Sequence, residues 1–193
     1  MMFNKITKIL KDSSDLKLNM IQACASEIER AIEMVLICLS KGGKILVFGN
    51  GGSAADSQHL AAEIVGRFYK DRSAMPAMAL TTDTSILTSV GNDYGFERIF
   101  ARQVEGLARP GDLLIGISTS GSSPNVVEAI RAGKEAGCTT VALTGAKTCA
   151  LDELVDCVIK VPSDDTPRIQ EGHGTIIHII AQLTEQANFE ESL

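Results

Sequence analysis

Apolar residues recur with a helical period over residues 16–39. Ile21, Ala25, Ile28, Ile32, Val35, Leu36 and Leu39 form one stripe, which Met20, Cys24 and Ala31 broaden. Gly42-Gly43 closes this predicted helix. The stripe is wider than one flank of a sheet requires, and it fits a subunit contact as well as a helix packed on its own domain. Beyond it the pattern alternates. Short apolar runs at 44–48, 77–80, 113–117, 140–143 and 155–161 predict strands. Helical patterns cover 54–67, two pieces near 84–89 and 97–108, then 124–136 and 169–188. Buried strands separated by helices imply a parallel sheet covered on both faces. The expected fold class is α/β, a three-layer αβα sandwich of flavodoxin/Rossmann-like type with an added N-terminal helical arm. No repeat, low-complexity tract or linker interrupts the chain, so residues 1–193 read as a single domain with 1–41 as the arm.

Composition narrows the function classes. Of 193 residues, 45% are hydrophobic and 22% charged, an ordinary soluble balance. The net charge is −6 and no basic cluster stands out, which argues against nucleic acid and against an anionic membrane surface. No apolar stretch is long enough to span a bilayer. Lys5, Lys8, Lys11 and Asp12 interrupt the N-terminal apolar residues, so this is not a secretory signal, and a cytoplasmic location is expected. Cys24, Cys38, Cys138, Cys149 and Cys157 are odd in number and lack C-x-x-C spacing. They read as reduced thiols that pack as small hydrophobes.

Two loops carry the candidate chemistry: Gly49-Asn50-Gly51-Gly52-Ser53 and Ser118-Thr119-Ser120-Gly121-Ser122-Ser123. Each follows a predicted strand and opens a predicted helix, where backbone N–H groups and the helix dipole favour an anion. Hydroxyls without a lysine point to a phosphate ester held by hydrogen bonds. The duller readings are a tight glycine turn and a serine cap on a helix whose first residue is Pro124. Capping does not explain why Ser118, Thr119 and Ser120 crowd the same turn. The first loop is also a weak dinucleotide fingerprint, but the acid expected at the end of the next strand is late, at Asp83. A Gly-Lys-Ser/Thr phosphate loop is absent.

His59 and Glu63 stand four apart on the helix that the first loop opens, so they share a face. Gln170 and His178 stand eight apart on the closing helix, about 12 Å along one face, with Gly174 leaving a gap between them. The pair His59/Glu63 also fits a solvated i,i+4 contact. A histidine among Ile176, Ile177, Ile179 and Ile180 also fits a neutral core residue.

Stretches 43–68, 90–105, 111–130, 141–145 and 166–180 together resemble the sugar isomerase (SIS) domain and, within it, the phosphoheptose isomerases. The resemblance implies interconversion of D-sedoheptulose 7-phosphate and D-glycero-D-manno-heptose 7-phosphate, the opening step of bacterial heptose synthesis for lipopolysaccharide and other surface glycans. It implies a homotetramer with sites at subunit boundaries. It implies that Ser53, Ser118, Thr119, Ser120 and Ser123 hold the phosphate or nearby oxygens, and that Asn50, Gly51, Gly52, Asn92 and Asp93 line the sugar site. Glu63 and His178 match the acid–base pair. His59, Glu63, Gln170 and His178 match ligands of one zinc ion per subunit, and Gln170 also matches a substrate contact. Pro167 replaces an aspartate of one familiar form, leaving Asp164 or Asp165 to supply any contact there. A related SIS protein binds the bacterial replication initiator without catalysis and tends to carry asparagine where this chain has His178. Asparagine moves no proton, so the histidine favours the enzyme. A sugar-phosphate-sensing regulator would usually carry an effector domain as well.

Overall fold

The computed structural model describes residues 1–189. Five parallel strands form one sheet in the order β2-β1-β3-β4-β5: β1 Ile45–Gly49, β2 Ala77–Ala79, β3 Leu113–Ile117, β4 Thr139–Thr144 and β5 Cys157–Lys160. Around it lie α1 Met2–Ser40, α2 Gly52–Val65, α3 Thr84–Tyr94, α4 Ala101–Leu107, α5 Pro124–Glu135 and α6 Thr166–Phe189, with a short 3-10 turn at Phe96–Arg98. The three-layer sandwich predicted from the pattern is the fold that forms.

The central strands β1 and β3 are buried at every position, which is why their sequences read as unbroken apolar runs. Ile45, Val47, Leu113, Ile115 and Ile117 face a core shared with α1, α2 and α6. Leu46, Phe48 and Leu114 face the opposite core, built with α3, α4 and α5. From β1 the chain turns to one side for β2 and then crosses to the other side for β3. The boundary between β1 and β3 is therefore the topological switch point, where doubly wound sheets open a crevice at their carboxyl ends. Gly49 pairs with Ile117 in register, so both candidate loops leave the sheet side by side at that crevice.

Two helical expectations shift. Helix α1 begins at Met2, fourteen residues before the periodic stripe. Its first turns carry Phe3, Ile6, Ile9 and Leu10 on exposed positions. A stripe ordered by a local core is what periodicity detects, and these turns have none in the single chain. The core row of α1 is Met20, Cys24, Ile28, Ala31, Ile32 and Val35, while Ile21 and Ala25 of the predicted stripe face outward. Ala25, Ile28, Ile32, Ile179, Leu183 and Ala187 line an apolar groove of about 530 Å3 between α1 and α6. All five cysteines are free; four are buried and Cys149 is half-buried.

Candidate active site

The first loop turns at Gly51, whose φ of +56° is a conformation that costs glycine little. Gly52 then begins α2 with the amide of Gln170 against it: a Cβ added there would stand 2.5 Å from Gln170 Nε2. Ser53 is buried one residue on. Asn50 exchanges two amide hydrogen bonds with Asn125, both 2.8 Å, which ties the first loop to the first turn of α5. In the second loop Ser118 Oγ lies 3.0 Å from Ser123 Oγ and 3.4 Å from Ser120 Oγ. Ser123 occupies the N-cap of α5 as the sequence predicts, but its hydroxyl caps no backbone N–H. The serine hydroxyls therefore face one another at the start of a helix, where free backbone N–H groups favour an anion. Thr119, Ser120 and Ser122 also line a cavity of about 300 Å3 with Lys147, Ser163 and Asp164. Asp83 accepts a hydrogen bond from Ile86 N–H at 2.9 Å and caps α3, so it is not a ribose ligand.

Beyond the first loop, α2 and α6 bring three groups together. Nitrogen or oxygen atoms of His59, Glu63 and His178 lie within 4.8 Å of one another. His59 Nε2 stands 3.2 Å from Glu63 Oε1 and 3.2 Å from His178 Nε2, and the two rings meet edge to face. His178 is exposed, so it is not the neutral core histidine that its isoleucine neighbours allowed. That role belongs to His173, which is fully buried and approaches the carbonyl of Thr144 at 3.2 Å through Nε2. Burial drives its pKa down to about 4, against the opposing pull of the Thr144 carbonyl.

Zinc takes nitrogen and oxygen ligands at about 2.0–2.1 Å, which places neighbouring atoms of a tetrahedral set roughly 3.3 Å apart. Both 3.2 Å separations match that edge, and two imidazoles with a carboxylate are a usual zinc donor set. The residues fit the ion. Gln170 stands against Gly52 at the start of α2, two turns before His178 on α6, and no side chain fills the position beside Gly174.

The SIS-domain family model matches residues 10–145. The phosphoheptose isomerase of Geotalea daltonii is 56% identical over 170 residues, covering 88% of each chain. That of Aquifex aeolicus is 48% identical over 191 residues, covering 99% of this chain and all of its own. The chain belongs to the phosphoheptose isomerase family of SIS domains. Among solved structures, the phosphoheptose isomerase of Neisseria gonorrhoeae superposes with a TM-score of 0.91 at 41% identity, covering 96% of this chain and 100% of that one.

Not every residue matched to the phosphoheptose isomerases gathers at this crevice. Asn92 and Asp93 are exposed at the end of α3, where Asn92 Nδ2 donates to Asp93 Oδ1 at 2.7 Å. They are not among the residues that line the cavities beside either loop. Pro167 lies exposed in the first turn of α6, with Asp164 at the edge of the serine cavity. Sequence reasoning missed Asn125, His173, Arg72 and Glu185. Asn125 pairs with Asn50 across 75 residues, Arg72 pairs with Glu185 across 113, and His173 meets the Thr144 carbonyl 29 residues away, so no local spacing carries the signal.

Proposed function

We propose that the protein interconverts D-sedoheptulose 7-phosphate and D-glycero-D-manno-heptose 7-phosphate, an aldose–ketose isomerisation that opens bacterial heptose synthesis. The observation that carries the reading is the His59–Glu63–His178 cluster on α2 and α6, with α2 opening at the glycine loop that shares the crevice with the serine loop. Membership of the family supports the same substrate. The ester tail binds among Ser53, Ser118, Thr119, Ser120 and Ser123, and Asn50, Gly51, Gly52 and Gln170 border the sugar. That grip converts remote binding energy into placement of the reacting carbons. Glu63 takes the proton from C1 of the ketose, and the electron pair moves to the carbonyl oxygen at C2 to give an enediolate. His178 supplies a proton to that oxygen and accepts one from the oxygen at C1, and Glu63 returns its proton to C2.

His59, Glu63, Gln170 and His178 are the residues that would hold one zinc ion per subunit, and Glu63 and His178 would then move protons only through the oxygen and nitrogen that the ion leaves free. When bound, it supplies positive charge to the oxygen that becomes anionic. The assembly we propose is a homotetramer. The apolar α1/α6 groove and the exposed turns of α1 give it surfaces to bury, and a neighbour would bring Asn92 and Asp93 to the crevice. Five unpaired thiols accord with a cytoplasmic enzyme.

Incubation with sedoheptulose 7-phosphate, followed by NMR, tests the reading. The aldose signals should appear with the parent protein and vanish with Glu63→Gln and His178→Asn. Full turnover by Glu63→Gln with unchanged substrate binding would refute the assignment of the base.

A further inference from the structure

We propose that Arg72 and Glu185 are positioning residues that set the geometry of the His59–Glu63–His178 cluster by fastening the exit of α2 to α6. The inference rests on the isomerase reading above and adds the groups that hold its machinery in place. Both side chains are almost wholly buried, at 1% and 2% exposure, with Arg72 Nε 3.0 Å from a carboxylate oxygen of Glu185. A buried ion pair by itself says little about stability, since a well-packed apolar pair often does as well. Here the two charges do more than meet each other.

The guanidinium reaches forward to the cluster. Arg72 Nη2 donates to the backbone carbonyl of Glu63 at 3.0 Å, so the pair grips the residue that carries the proposed base. The carboxylate reaches back along the chain. Glu185 accepts from three successive backbone N–H groups, Phe68 at 2.8 Å, Tyr69 at 2.7 Å and Lys70 at 2.9 Å. That fixes the segment leaving α2, and the first of its residues lays its ring edge-on to His178, centroids 5.6 Å apart. Glu185 itself stands seven residues beyond His178, two turns along the same helix. One ion pair therefore touches the cluster twice: through the Glu63 backbone and through the ring packed on His178. Burial alone would push the Glu185 pKa up, but the three N–H donors and Arg72 overcome it and hold the carboxyl near 2.

Arg72→Lys separates the two contacts. A lysine retains the charge opposite Glu185 but offers one nitrogen, which cannot also span to the Glu63 carbonyl. Zinc titration by calorimetry into the full-length, metal-stripped protein should show affinity reduced about tenfold or more, the usual effect of losing a group that orients ligands. Turnover should fall in kcat while the KM for sedoheptulose 7-phosphate stays within about twofold, with circular dichroism unchanged. Phe68→Leu, which leaves the Glu185 hydrogen bonds intact, should shift zinc affinity in the same direction, and it decides alone if Arg72→Lys does not fold. Zinc binding by both variants within about twofold of the parent overturns the proposal, as does a parent that takes up no zinc. A parent protein that binds zinc but yields no aldose from sedoheptulose 7-phosphate would instead refute the isomerase reading and leave the metal titrations standing.

Discussion

His173 is a side chain whose charge state is decided by where the fold puts it. In the native protein it is neutral down to about pH 4, whereas an unfolded histidine protonates near 6.5. Between those values the unfolded chain binds the extra proton, so stability is complete above about pH 6.5 and declines as pH falls toward 4. The loss approaches about 3 kcal/mol from this group alone. Below it Glu185 takes over: with its carboxyl near 2 rather than 4.5, stability present above 4.5 is lost as pH falls toward 2. Chemical denaturation at a series of pH values should show two successive acid-driven declines. His173→Gln, which keeps an N–H near the Thr144 carbonyl, should flatten the upper one only. Gly52 makes a separate prediction. Its alanine variant displaces the end of a flexible amide rather than backbone. The melting temperature of Gly52→Ala should stay within a few degrees of the parent, while the KM for the sugar phosphate and zinc affinity both worsen as Gln170 is pushed aside.

At the scale of elements, the strands were the most legible part of the chain. β3 runs over the predicted residues, and β1 and β4 differ by one residue at each end, because a fully buried strand writes its burial into consecutive apolar residues. The start of α1 was illegible because its apolar residues serve no core within the chain. The loops were legible as phosphate loops, and the i,i+4 spacing of His59 and Glu63 was legible as a shared face. The meeting of that face with His178 was not, since it depends on α2 and α6 packing side by side. Nor was the amide exchange between Asn50 and Asn125, which bridges 75 residues. Asn125→Ala removes both of those hydrogen bonds and leaves the half-buried Asn50 amide to find water. Stability should fall by about 1–3 kcal/mol in urea unfolding. The KM should rise more than kcat falls, because the variant loosens the grip on the ester tail and leaves the cluster alone.

The whole molecule presents more apolar surface than a lone subunit can justify, in the α1/α6 groove and along the first turns of α1. On the proposed homotetramer, sedimentation should return four times the 20.5 kDa of the chain. Leu183→Glu, in that groove at 41% exposure, should yield smaller species whose isomerase activity falls with their assembly. A fully active monomer would show that Asn92 and Asp93 are not required from a neighbour. The long first helix also bears on how such subunits find one another. Thirty-nine residues make a rod about 58 Å long, against a body of this chain length roughly 40 Å across. Its first eighteen residues hold four lysines against two aspartates, while the chain as a whole carries −6. Each subunit thus extends a mildly cationic boom from an anionic hull, and its attraction to another hull fades as dissolved ions crowd in. Subunits diluted apart should recombine fastest in dilute buffer and progressively more slowly as potassium chloride is raised.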